Sequence, residues 1–250
     1  MPAIKDIFNY LCELAPLELQ LDFDNAGFLI GKGNSVCHKA LVSLDVTENV
    51  VEEAVSGNYE LVISHHPVIF SPLKKITDDK LIAILEHKIA VISMHTNLDI
   101  AEGGVNDVLL ELVGAKREDF LDEEHCGRIG YFAHEMSLND FLGICRGKLH
   151  TNGLRYYDAG LSVKRIAVLG GSGGDEIENA FEKGCDTYLT SDIKYHQFLL
   201  AQELGINLID GDHFGTEDPV IDELCKKLSA RFPDVIFDKS KCHLPIIKFF

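Results

Sequence analysis

The stretch Ala54-Val55-Ser56-Gly57-Asn58-Tyr59-Glu60-Leu61-Val62-Ile63-Ser64-His65-His66-Pro67 decides how this chain is read. Gly57 stops a helix whose inner face carries Val50, Val51, Ala54 and Val55, and Thr47 stands where its cap belongs. The apolar run over 59–64 is short and bounded, as a buried strand is. It leads straight into two histidines. The pattern is therefore helix, stop, strand, and a polar cluster at the carboxyl end of that strand.

The pattern returns at Ala180-x-x-x-Gly184-x-x-Thr187-Tyr188-Leu189-Thr190-Ser191-Asp192. Each copy is followed by a helix and a strand ending in histidine, Val91-Ile92-Ser93-Met94-His95 and Leu208-Ile209-Asp210-Gly211-Asp212-His213. Near the start of the chain, Ile4, Ile7, Phe8, Leu11 and Leu14 share a helical face closed by Pro16. Strands are expected at 40–46, 89–94, 127–132, 165–169, 187–190 and 206–209. Helices are expected around 81–87, 105–113, 175–183 and 196–204, and after Ser137, where Phe141, Leu142, Cys145 and Leu149 line one side. One long last helix is expected over 217–229, with Thr216 as its cap and Pro219 in its first turn. Strands alternating with helices indicate an α/β chain with largely parallel sheets. The echo reads as two related halves, 1–126 and 127–250, against the alternative of chance likeness between generic βα units.

Bulk properties narrow the function. Hydrophobic residues are 46% of the 250, ample for buried cores. A formal net charge of -17 repels the phosphate backbone and argues against nucleic acid and anionic membranes as partners. The start lacks the basic-then-apolar pattern of a signal peptide, and no apolar stretch is long enough to span a bilayer. The seven cysteines include no CxxC pair. Reduced thiols in a cytoplasmic protein are the expectation, rather than a disulfide framework or a thiolate zinc site.

In open α/β sheets ligands bind outside the carboxyl ends of the strands. Three such ends carry concentrated polar residues: Ser64-His65-His66-Pro67, His95-Thr96-Asn97-Leu98-Asp99 and Asp212-His213-Phe214-Gly215-Thr216-Glu217. Neighbouring side chains of an extended segment point opposite ways, and Pro67 keeps His66 extended. His65 and His66 are thus expected to address different ions. His213 and Glu217 stand four apart where a strand gives way to a helix, and Asp99 adds a carboxylate able to bridge. Three imidazoles and two carboxylates suit a pair of divalent ions such as zinc, manganese, iron or nickel, about 3.5–4 Å apart. A His-His pair alone carries nothing; the convergence of five residues on strand ends carries the assignment. His38, His87, His125, His134, His150 and His243 sit in polar or loop contexts and are assigned nothing.

These motifs carry a family resemblance. Leu61-Val62-Ile63-Ser64-His65-His66-Pro67, His95-Thr96-Asn97-Leu98-Asp99 with Gly103-Gly104-Val105-Asn106-Asp107, and Gly211-Asp212-His213-x-x-Thr216-Glu217 resemble successive signatures of the Nif-three-like family, also labelled GTP cyclohydrolase I type 2 homologues. Asp24-Asn25-Ala26-Gly27-Phe28-Leu29-Ile30-Gly31 resembles its N-terminal signature, with Phe23 in place of tryptophan. Leu44-Asp45-Val46-Thr47 and Thr190-Ser191-Asp192-Ile193-Lys194-Tyr195-His196 resemble two more, with Ser191 in place of glycine. The likeness runs in order along nearly the whole chain, in the short form without an inserted domain. It implies two similar three-layer α/β/α halves, a dinuclear metal centre between them and a ring-shaped homohexamer. It also places His65, His66, Asp99, His213 and Glu217 as metal ligands, the set the strand ends select.

Three further features are weighed for catalysis. His95 is a candidate proton shuttle, since both its forms exist near neutral pH. Asp192 and His196 are candidates for orienting ligands or water, or equally a helix cap and a surface histidine. The loop Gly170-Gly171-Ser172-Gly173-Gly174 follows a strand as phosphate cradles do, but it lacks the Lys-Ser/Thr of a P-loop and fits a tight turn better. The leading expectation is a hydrolase in which metal-activated water attacks a nucleotide or related small molecule, at a purine ring carbon or a phosphate ester. The alternative is a non-catalytic metal-binding scaffold or regulator.

Overall fold

The computed structural model describes residues 1–248. In chain order the helices are α1 (Ile4–Leu14), α2 (Glu48–Ser56), α3 (Asp79–Glu86), α4 (Thr96–Ile100), α5 (Val105–Leu112), α6 (Leu138–Lys148), α7 (Ile177–Glu182), α8 (Tyr195–Leu204), α9 (His213–Glu217) and α10 (Pro219–Arg231). The strands are β1 (Gly27–Ile30), β2 (Lys39–Ser43), β3 (Leu61–Ser64), β4 (Ala90–Ser93), β5 (Lys116–Phe120), β6 (Arg128–Met136), β7 (Arg155–Tyr157), β8 (Val163–Ser172), β9 (Thr187–Ser191), β10 (Asn207–Asp210) and β11 (Ile236–Lys239). The chain divides into two units. One is Met1–Glu102 with Val220–Leu244; the other is Gly103–Pro219 with 245–248.

In the first unit the sheet order is β1-β4-β3-β2-β11. β2, β3, β4 and β11 run parallel and β1 closes the edge antiparallel to β4. Thr47 caps α2 through its hydroxyl, and Asp78 caps α3. Leu41, Val62 and Val91 point to one face, where Val50, Val51 and Ala54 of α2 and Leu81 and Ile84 of α3 cover them. Their strand neighbours Val42, Leu61, Ile63 and Ile92 are buried on the other face. Both faces are covered, which is why the strands read as unbroken apolar runs. Ser64 and Ser93 are register partners with hydroxyls 2.8 Å apart. The residues that follow them therefore leave the sheet side by side.

In the second unit the order is β5-β6-β8-β9-β10-β7, with β8, β9 and β10 parallel at the centre and antiparallel strands outside. Ile166, Val168, Leu189 and Ile209 meet Leu109 and Leu110 of α5 and Phe141 and Cys145 of α6. Ala167, Tyr188 and Leu208 meet Ile177 and Ala180 of α7 and Ala201 of α8 on the opposite face. This alternation produces a helix–sheet–helix sandwich.

Three expectations need correcting. The boundary falls between 102 and 103 rather than near 126, because α5 packs into the second core and β5 pairs with β6. Residues 220–244 return to the first unit, where β11 extends the sheet beside β2. The long last helix is two, since Asp218 ends α9 and Pro219 opens α10 at the position where its missing N–H costs nothing. Thr216 consequently lies inside α9, and Asp212 is the residue whose side chain accepts from Gly215 N–H.

Candidate metal centre

Three imidazoles gather at the carboxyl ends of β3 and β4. The chain bends at His65 and His66, so their rings do not diverge as an extended strand would make them; the centroids lie 4.9 Å apart. His95 completes the group at 5.2 Å from His65 and 5.4 Å from His66. Together they offer ligand atoms within 4.8 Å of one another. His65 is fully buried, and His66 and His95 are half-buried.

Each ring is held by its Nδ1. His65 donates to the Met94 carbonyl at 2.8 Å, His66 to Asp45 Oδ1 at 2.8 Å and His95 to Asp24 Oδ1 at 2.7 Å. A carbonyl or carboxylate at Nδ1 fixes the tautomer that presents the Nε2 lone pair, the arrangement found behind metal-ligating histidines. Burial opposes the charge on Asp24, but hydrogen bonds from His95 and from the Thr96 hydroxyl and N–H bring its pKa down to about 2. Asp45 is partly exposed; desolvation opposes its charge too, yet bonds from His243 and His66 hold it well below the ordinary range. His243, assigned nothing by sequence, puts its Nε2 3.0 Å from Asp45 Oδ2. Asp99, on α4, brings Oδ1 to 3.5 Å from His65 Nε2. Two ligands of one tetrahedral ion, each about 2.0–2.1 Å from it, stand roughly 3.4 Å apart.

In the second unit the carboxyl ends of β9 and β10 supply Asp192 and His213. His213 Nδ1 donates to Asp192 Oδ2 at 2.8 Å, again leaving Nε2 outward. One helical turn on, Glu217 is almost fully buried and places Oε2 3.0 Å from that Nε2. Asp192 and Asp212 both hold left-handed backbone, at φ +57° and +70°. Asp tolerates this conformation better than most residues, and it clusters where function sets the geometry. Burial pushes the His213 pKa down, but the Glu217 and Asp192 carboxylates outweigh it and raise it to about 9. A proton and a metal ion compete for the same imidazole lone pair, so an arrangement this favourable to cations suits a divalent ion.

Of the remaining candidates, Asp192 stands behind His213 rather than beside it. His196 lies exposed at the start of α8 and engages no group among the described residues. The glycine stretch is neither a free loop nor a plain turn, because β8 runs through it to Ser172. Asp24, Asp45 and His243 are the supporting residues that a search for ligands overlooks. Asp24 and Asp45 stood inside recognised motifs; His243 reaches Asp45 only through the fold.

Comparison with known proteins agrees in sequence and in fold. The family model described as Duf34/NIF3 (NGG1p interacting factor 3) matches residues 2–243. A Clostridium perfringens protein named GTP cyclohydrolase 1 type 2 homolog is 34% identical, covering 95% of this chain and 96% of its own. A Clostridium acetobutylicum protein of the same name is 34% identical, over 91% and 90%. The crystal structure of a Bacillus cereus protein related to NIF3 superposes with a TM-score of 0.93 at 25% identity, over 100% and 99% of the two chains. Reduced HcgD from Methanocaldococcus jannaschii superposes with a TM-score of 0.86 at 28% identity, over 96% and 98%. By sequence motif, fold and these likenesses, the chain belongs to the Duf34/NIF3 family.

Proposed function

We propose that this protein is a metal-dependent hydrolase-type protein in which His65, His66, Asp99, His213 and Glu217 hold two divalent ions, of zinc, manganese, iron or nickel. The observation that carries this reading is the set of four imidazoles, His65, His66, His95 and His213, each engaged at Nδ1 by a carbonyl or carboxylate. Core histidines satisfied for packing alone have no need of one common tautomer. The donor set, imidazole with carboxylate and no thiolate, suits borderline divalent ions. Such ions supply Lewis acidity, which makes water acidic enough to serve as a nucleophile near neutral pH.

The chain's own residues then divide the remaining work. Asp45 and Asp192 orient His66 and His213. Asp24 orients His95 through its Nδ1, and the His95 Nε2 takes up and returns a proton during turnover. The substrate class is a nucleotide or related small molecule, the class named by the relatives' label. The same reading includes a cytoplasmic homohexamer. Among the described residues no helix is long and apolar enough to cross a membrane. The test is turnover of a nucleotide panel, GTP included, by metal-loaded protein, with light scattering for the assembly. Hydrolysis of one member that is lost with Glu217→Ala supports the enzyme. Bound metal without turnover of any member supports a non-catalytic scaffold instead.

A further inference from the structure

The glycine stretch has a different use from the phosphate cradle its sequence suggests. Between the register pairs Val168↔Leu189 and Ser172↔Ser191, three residues of β8, 169–171, stand against one of β9, Thr190. Gly170 and Gly171 thus form a bulge, and Gly171 sits in left-handed backbone at φ +68°. Their amide hydrogens are already committed. Gly170 N–H donates to Asn106 Oδ1 at 2.7 Å and Gly171 N–H to Thr216 Oγ1 at 3.1 Å. The Gly171 carbonyl accepts from the hydroxyls of Ser191 and Thr190. What the bulge offers is space. A Cβ on Gly171 would stand 2.1 Å from Glu217 Oε1 and 3.1 Å from its Cδ, and one on Gly170 would stand 3.3 Å from Glu217 Cγ.

We propose that Gly171 is a positioning residue for the Glu217 carboxylate: its missing side chain is the room that carboxylate occupies, and the bonded bulge holds Oε2 on the side of His213 Nε2. This rests on the reading of Glu217 as a metal ligand and adds to it the element that aims it. The argument is steric. A carboxylate confined between the bulge and His213 cannot yield to a methyl group without turning away, because Thr216 beside it is tied to the same bulge.

The experiment compares Gly171→Ala with Gly205→Ala, measuring zinc affinity by chelator competition and Tm with and without zinc. Gly205 ends α8 at φ +73° with nothing within 4 Å of its would-be Cβ, so its substitution introduces left-handed strain alone. Gly205→Ala should lower Tm equally in zinc-free and zinc-loaded protein and leave affinity unchanged. Gly171→Ala should weaken zinc binding by about 10–100-fold, the usual range for a lost supporting contact, and shrink the Tm gain from zinc. Wild-type zinc affinity in Gly171→Ala would overturn the proposal. Should that variant fail to fold, Gly171→Ala combined with Glu217→Ala removes the collision and should fold with the Tm loss of Gly205→Ala added to that of Glu217→Ala. A double variant that stays unfolded overturns it too. Glu217→Ala alone tests the underlying reading: unchanged zinc binding there sinks the ligand assignment whatever Gly171 does.

Discussion

The two units share one frame and fill it differently. β2-α2-β3-α3-β4-α4 in the first corresponds to β8-α7-β9-α8-β10-α9 in the second, and in each the last parallel strand has an antiparallel neighbour at its edge. In the first unit both central strands end in imidazole, His65 with His66 after β3 and His95 after β4. In the second, the strand matching β3 ends in Asp192, whose carboxylate orients the one imidazole at the end of its neighbour. The first unit is rich in donors with separate supports. The second concentrates one imidazole, one buried carboxylate beside it and one support, with a bulge and two aspartates at positive φ around them. A repeated βα frame thus fixes where polar residues emerge, while the residue at each strand end decides whether that position presents an imidazole or a carboxylate that orients one.

This difference can be broken experimentally. The largest effect is expected at His95, which Asp24 orients and which lies outside the proposed ligand set. His95→Ala should keep metal content and slow turnover about 10²–10⁴-fold, the usual range for a proton-transferring group. Loss of metal together with activity would move His95 into the ligand set. Elemental analysis of the same sample used for kinetics separates the two outcomes.

Next come the supports. Asp192→Ala removes the partner of His213 Nδ1, whereas Asp45→Ala leaves His65 and His95 with theirs, the Met94 carbonyl and Asp24. Asp192→Ala should therefore weaken zinc binding about 10–100-fold, and Asp45→Ala should weaken it less. Equal losses in chelator competition would erase the asymmetry between the units.

The smallest effect concerns Asp24 and acid. Its pKa is lowered in the folded chain to about 2 from an ordinary 3.8. The stabilisation is fully present above the unfolded value near 3.8 and is lost as pH falls through about 2. It amounts to about 2 kcal/mol. Metal-free Asp24→Asn should be less stable than wild type at pH 6 in denaturant titrations, with the gap closing towards pH 2. A gap that stays constant with pH would mean that shape, not charge, makes Asp24 matter.

Sequence alone reached much of this because the central strands are short apolar runs that stop at polar residues. β3, β4, β9 and β10 all lie where the pattern places them within a residue or two, and Thr47 and Ser137 cap the helices expected of them. What stayed hidden depends on pairing across long stretches of chain. β5 and β7 are short edge strands with largely exposed side chains, so no apolar pattern marks them. β11 joins a strand nearly the whole chain away, which no local window reveals. The role of His243 depends on the same return, because Glu53 holds Ser240 and the N–H groups of Lys241 and Cys242 and so brings His243 to Asp45. The close approach of the His65 and His66 rings comes with a bend that Pro67 does not forecast.

The central proposal is that His65, His66, Asp99, His213 and Glu217 serve as ligands for two ions. The most direct measurement is the metal content of purified protein loaded with zinc or manganese and freed of excess. The account predicts close to two ions per chain, falling in His66→Ala and in Glu217→Ala while circular dichroism shows the fold retained. No stoichiometric metal in loaded wild-type protein, or undiminished metal in both variants, would contradict it.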